Sequence, residues 1–154
     1  MSHPLEPNKW RVPSWIDDYI WWRTDDVPAS IYTLMLQIYS ALQHDAYWLA
    51  AMGMRGTLDL IMIKKIGDIG RFEDKVDAFQ KAGYLSERQA HILDILINAG
   101  NAAVHRKWAP NPCDIATLLD ITNSIIETAY LHEKRATSLE KNVPPKKPTA
   151  RLGE

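Results

Sequence analysis

From Pro28 onward apolar residues return every three or four positions, the spacing that lines one face of a helix. Ile31, Leu34, Met35, Ile38 and Leu42 mark a first helix, and Pro28 suits its opening turn, where the N–H that proline lacks has no intrahelical partner. A second helix runs from about Asp45 through AYWLAAMGMRGTLDLIMIKKIG, with Gly67 as its stop. It is apolar nearly all round, which predicts a central position. In RFEDKVDAFQKAG, Phe72, Val76 and Phe79 form the stripe of a third helix that Gly83 ends. The fourth opens at Ser86, where SERQ reads as a capping box: the hydroxyl accepts from the amide three residues on while Gln89 reaches back. A fifth follows Asn111 as cap, with Pro112 at its first position. It carries Ile115, Leu118, Leu119, Thr122, Ile125, Ile126 and Ala129 on one side. No run alternates apolar and polar residues between hairpin turns, so the pattern predicts an all-α bundle of about five helices, mostly antiparallel, with short connections.

Two segments depart from this periodicity. Residues 1–27 hold four of the six tryptophans, Trp10, Trp15, Trp21 and Trp22, among prolines and acidic side chains. Solvated rings of that size would strand a large apolar surface, so the segment is expected to lie as a belt, with a short helical stretch in SWIDDYIWW, against the domain or a partner. The bundle is expected over residues 28–141, and residues 142–154, proline-rich and basic, read as a disordered tail.

The fourth helix holds the candidate chemistry. Ile92, Leu93, Leu96, Ile97, Gly100, Ala103 and Val104 share its apolar face. Asp94, Asn98, Asn101 and His105 form a polar seam along one edge, provided the helix passes unbroken through Gly100. Glycine inside a helix costs about 1 kcal/mol relative to alanine, so Gly100 asks for close approach by a second element. Such a seam fits a self-satisfying hydrogen-bond network, a contact between protomers, or a site for phosphate and ribose. Histidine is the one residue type in the seam whose unperturbed pKa lies near neutrality, which makes His105 the candidate general acid or base, with Asn101 one turn before it as companion. Asn98, Arg106 and Lys107 are the candidate nucleic-acid contacts. Arg55, in the second helix, reads either as a weaker catalytic candidate or as the structural partner of Asp59 one turn on.

Composition narrows the classes. The chain has 154 residues, 46% hydrophobic and 24% charged, with a formal net charge of -1, as expected of one soluble globular domain. So small a net charge cannot steer a polyanion from afar, and a nucleic-acid site would have to be a local patch. The single Cys113 cannot close an internal disulfide, which suits a reducing compartment. The opening MSHPLEPNKWRVPSW lacks a basic-then-apolar leader, and no apolar run approaches the roughly 20 residues a bilayer needs, so a cytoplasmic location without membrane contact is expected. His44, His91, His105 and His132 supply no HExxH pair. Neither a glycine-rich phosphate loop nor a nucleophile elbow is present, and no metal or cofactor is expected.

The segments MRGTLDLI, KVDAFQKAGYLS and GNAAVH, followed by a long final helix, occur in an order that resembles the domain of unknown function 4145 family over residues 28 to about 130. That family looks like a branch of the HEPN (higher eukaryotes and prokaryotes nucleotide-binding) superfamily. The resemblance implies a HEPN-like helical bundle that dimerises and handles RNA or nucleotides, with roles in prokaryotic defence. Active members of the superfamily cut RNA without metal, using an Arg, often followed by a polar residue, about a turn ahead of a His. Here His105 matches the His and Asn101 the polar position, while Gly100 stands where the Arg belongs. Loss of a cation from a phosphoryl-transfer site costs on the order of a thousandfold in rate, so weak or absent ribonuclease activity is expected. The expectation is therefore an RNA- or nucleotide-binding homodimer whose cleft holds Asn101 and His105 from each chain. The alternative is a non-catalytic interaction module anchored through Trp10, Trp15, Trp21 and Trp22, in which the seam only sets helix register.

Overall fold

The computed structural model describes residues 26–149; the tryptophans expected to form a belt, Trp10, Trp15, Trp21 and Trp22, fall outside the described residues, as do residues 150–154. Six helices are present among the described residues: α1 (Ala29–Gln43), α2 (Tyr47–Ile66), α3 (Phe72–Lys81), α4 (Glu87–His105), α5 (Pro112–Ile126) and α6 (His132–Asn142). A π-helical turn, Glu127–Leu131, joins α5 directly to α6. The fold is all-helical, as the periodicity predicts, and no strand occurs among the described residues. Residues 143–149 are exposed and carry no regular structure.

Helix α2 is the axis of the bundle and packs against α1, α3, α4 and α5. That is the position its nearly all-round apolar character predicts. Ala50, Ala51, Met54, Leu58, Ile61 and Met62 are buried along it. Thr57 is buried too, and its hydroxyl donates to the Gly53 carbonyl at 2.8 Å, which removes the penalty of an unpaired polar group. The other helices present their apolar stripes to this axis. Ile31, Met35 and Leu42 of α1, Phe79 of α3, Leu93 and Leu96 of α4, and Ile115 and Ile126 of α5 are fully enclosed. Each such side chain contributes roughly 1.5–3 kcal/mol by leaving water.

Local chemistry sets the boundaries. α2 begins two residues later than its pattern suggests, because Asp45 takes a left-handed φ of 57° that closes the short turn after α1. Gly67 and Gly83, at φ 87° and 89°, end α2 and α3 in a conformation that side-chain-bearing residues avoid. The capping box expected at Ser86 forms, and the Asn111 cap proves to be one as well. Ser86 Oγ accepts from the Gln89 amide at 3.2 Å and Gln89 Oε1 from the Ser86 amide at 2.8 Å. Asn111 Oδ1 accepts from the Asp114 amide at 2.9 Å and Asp114 from the Asn111 amide at 3.0 Å. Between α2 and α3 lies an ion pair that periodicity does not reveal. Lys75 is buried, and its ammonium donates to Asp59 at 2.7 Å and pairs with Asp68 at 3.3 Å.

Candidate functional site

α4 is continuous through Gly100, and the glycine is there because α2 comes too close for anything larger. A Cβ at position 100 would stand 2.6 Å from Arg55 Cβ, 2.8 Å from Cδ and 3.0 Å from Cγ. The side chain in the way is that of the one cation in the middle of α2. Having crossed Gly100, Arg55 donates from Nε to Asn101 Oδ1 at 2.6 Å, and its guanidinium carbon lies 4.6 Å from the centre of the Phe72 ring. The glycine and the following amide are two halves of one arrangement: the first lets the guanidinium pass, the second holds it.

This corrects the pairing of Arg55 with Asp59. Asp59 is one helical turn from Arg55 but belongs to Lys75, which reaches it from α3. Among the described residues no carboxylate lies within ion-pair distance of Arg55, and its polar partner is the neutral Asn101. The aromatic face of Phe72 stabilises a cation without neutralising it.

The seam runs along the outer side of α4 as the helical projection predicts. Asp94, Asn98 and His105 are exposed and Asn101 is half-buried. The candidate residues fall into two groups on either side of it. Asn101 turns toward α2 and Arg55. Asn98 meets Arg106, whose Nη2 donates to the Asn98 carbonyl at 3.1 Å and to its Oδ1 at 2.8 Å. His105, the last residue of α4, is exposed, one turn beyond Asn101. Lys107 is exposed at φ 53° and turns the chain away from the helix. Val104, placed on the apolar face by the same projection, is 39% exposed, because the bundle no longer covers the helix at its end.

Three residues escaped the sequence reading. Phe72 reads there as a core stripe residue, but it is half-buried and carries Arg55 on its ring. Trp48 donates its indole N–H to the Ala103 carbonyl and so caps the free end of α4 from α2. Trp108 follows the turn, its amide donating to the Ala102 carbonyl at 3.1 Å. Its ring lines a groove of about 540 Å³ between α4 and α5, together with Ile95, Asn98, Arg106 and Leu118. All three act across helices, and no repeat within one helix signals such contacts. Among the described residues, no group of three or more His, Cys, Asp or Glu side chains is arranged to hold a metal ion, and no helix is long and apolar enough to cross a membrane.

A sequence model of the family described as Domain of unknown function (DUF4145) matches residues 36–142, from the middle of α1 to the end of α6. No curated protein and no solved structure matches the chain.

Proposed function

The chain belongs to the DUF4145 family, and we propose that its α2–α4 contact is a phosphate-recognition site, through which a HEPN-like helical module binds RNA or nucleotides. One observation supports this above the others: Arg55 is a half-buried guanidinium with a neutral partner and no carboxylate among the described residues. A charge kept partly out of water is normally compensated, and a guanidinium with unused N–H donors presents a fork that fits the oxygens of a phosphate. Asn101 fixes the direction of Arg55, His105 supplies a titratable ring one turn on, and Arg106 with Lys107 adds positive charge at the same end of α4. A local patch of this kind is what a chain of near-zero net charge requires.

Binding is favoured over cutting. Cleavage at a 2′-hydroxyl calls for a base, an acid and a cation aligned on one phosphate. A side chain at position 100 would collide with Arg55, so the cation enters from α2 rather than from the turn before His105. Among the described residues no hydrogen bond or ion pair ties His105 to a second acid–base group. Pairing of two copies would double the site, and the exposed apolar residues Trp48, Leu49 and Met52 beside the end of α4 support a homodimer there.

The test is fluorescence anisotropy with a short labelled single-stranded RNA across a salt series. Loss of a charge-assisted contact removes about 1.5–3 kcal/mol, so Arg55→Ala should weaken binding roughly 10- to 100-fold and flatten the salt slope by about one phosphate contact. Arg55→Lys should fall between, and His105→Ala should weaken binding less. Unchanged affinity in both Arg55→Ala and His105→Ala would remove the site from this surface.

A further inference from the structure

The start of α1, the last turn of α2 and one face of α6 enclose a groove of about 840 Å³. It is remote from the site above: Lys65, on its wall, lies ten residues beyond Arg55 along α2, about 15 Å at the helical rise. One wall is built from Tyr130 of the π-helical turn and Glu133, Lys134, Thr137, Ser138 and Lys141 of α6, which recur at three- and four-residue steps and so form one continuous face. On the floor, the Lys65 ammonium sits 4.4 Å from the centre of the Tyr130 ring. Helix α6 buries none of its own residues among the described part of the molecule. Eleven residues without a packed face make a marginal helix in water, since helices in proteins draw most of their stability from tertiary packing.

We propose that Trp21 and Trp22 of the same chain fill this groove and strap α6 to the bundle. Three features point to that occupant. The first is reach. The described chain begins at Asp26, which is itself part of the groove wall and accepts from Lys134 at 3.0 Å. Trp22 is four residues upstream, and four residues span at most about 14 Å, so the pair cannot lie far from the opening. The second is charge. The groove presents Lys65, Lys134 and Lys141 against Asp26 and Glu133, while the stretch IDDYIWWRTD brings Asp17, Asp18 and Asp25 against the single Arg23. The third is shape and surface. An indole pair needs apolar contact along its body and tolerates cations over its faces, and lysine side chains offer both their methylene stems and their ammonium groups. With the pair seated, the first and last segments of the domain hold each other in place.

The experiment compares the full chain with its Trp21→Ala/Trp22→Ala variant by hydrogen exchange. Residues 132–142 should exchange about tenfold faster or more in the variant, while the core of α4 stays protected. Unchanged exchange in α6, or acceleration centred on the α4–α5 groove at Trp108, would overturn the proposal. A second measurement covers general loosening of the variant. In a Cys113→Ser background that keeps both tryptophans, Tyr19→Cys is combined with Ser138→Cys or with Ile95→Cys and treated with a short bis-maleimide. Intrachain cross-linking to position 138 should exceed that to position 95 by at least about fivefold. Equal yields, or cross-links found only between two chains, would refute docking in cis. The phosphate site plays no part in either readout, so the two proposals fail separately.

Discussion

At position 100 a single hydrogen atom in place of a methyl group sets how near α4 comes to α2. Because the closest atom to a Cβ there is Arg55 Cβ, at 2.6 Å, the conflict is between main chains as much as between side chains. Gly100→Ala gains up to about 1 kcal/mol in helix propensity but forces the helices apart, and overpacking of this kind costs about 1–3 kcal/mol. The expected net result is a lower urea midpoint, together with a displaced Arg55 and weaker RNA binding. Arg55→Ala should not rescue it, because that substitution leaves Arg55 Cβ in place. A neutral Gly100→Ala, or rescue by Arg55→Ala, would show that the helices are not in close contact. The same geometry means that Gly100→Arg disrupts the contact instead of adding a cation to it. The sequence made part of this visible: glycine inside an apolar helix asks for a close neighbour, and Asn101 stands beside it. The neighbour's identity was hidden, because Arg55 is 46 residues from Asn101 and its nearest local candidate, Asp59, pairs with Lys75.

The joints between helices follow the same division. Ser86 with Gln89 and Asn111 with Asp114 are caps made by residues three apart, so their chemistry is complete in a few letters of sequence. Trp48 capping α4, the π-helical turn after α5 and the Lys75 pairing depend on which elements meet, and no short window carries that information. The Lys75 joint yields a prediction about α2 and α3. Its side chain is 7% exposed and that of Asp59 31%. The Asp59 hydrogen bond, foremost, raises the Lys75 pKa above its ordinary 10.5, against the opposing effect of burial. A lysine whose folded pKa is raised stabilises the fold fully at pH below its unfolded value, and that stabilisation is lost as pH climbs through the folded value. Urea midpoints of the native chain should therefore hold from pH 7 to 9 and fall above about 10.5. Lys75→Met should cost about 1–2 kcal/mol at pH 7, less than a fully buried pair because Asp59 can regain water. It should also remove this part of the alkaline loss. A variant with the same alkaline slope as the native chain would assign the slope to other groups, such as Tyr130, whose pKa burial pushes up to about 12.

For the molecule as a whole, what the bundle leaves uncovered bears most on its behaviour in solution. Trp48, Met52 and Gly56 follow one another at four-residue steps along the exposed side of α2, with Leu49 beside them. Trp48 is 43% exposed, Leu49 65% and Met52 37%. Gly56 continues the line and differs from Gly100 in one respect: a Cβ there would meet nothing within 4 Å. Among the described residues this glycine has no packing reason, and Gly56→Ala should stabilise an isolated protomer by about 0.5–1 kcal/mol. If two copies pair across this face, as proposed, the partner's backbone is what the glycine admits, and the same substitution should raise the dimer dissociation constant. Met52→Asp, which puts a charge into the middle of the apolar line, should give a monomer in sedimentation equilibrium with little change in unfolding midpoint, because Met52 is not part of the core. Opposite effects of Gly56→Ala on protomer stability and on association would locate the two-fold contact on α2. A native chain that sediments as a monomer at every concentration would exclude the pairing and leave Arg55 and His105 to act from a single copy.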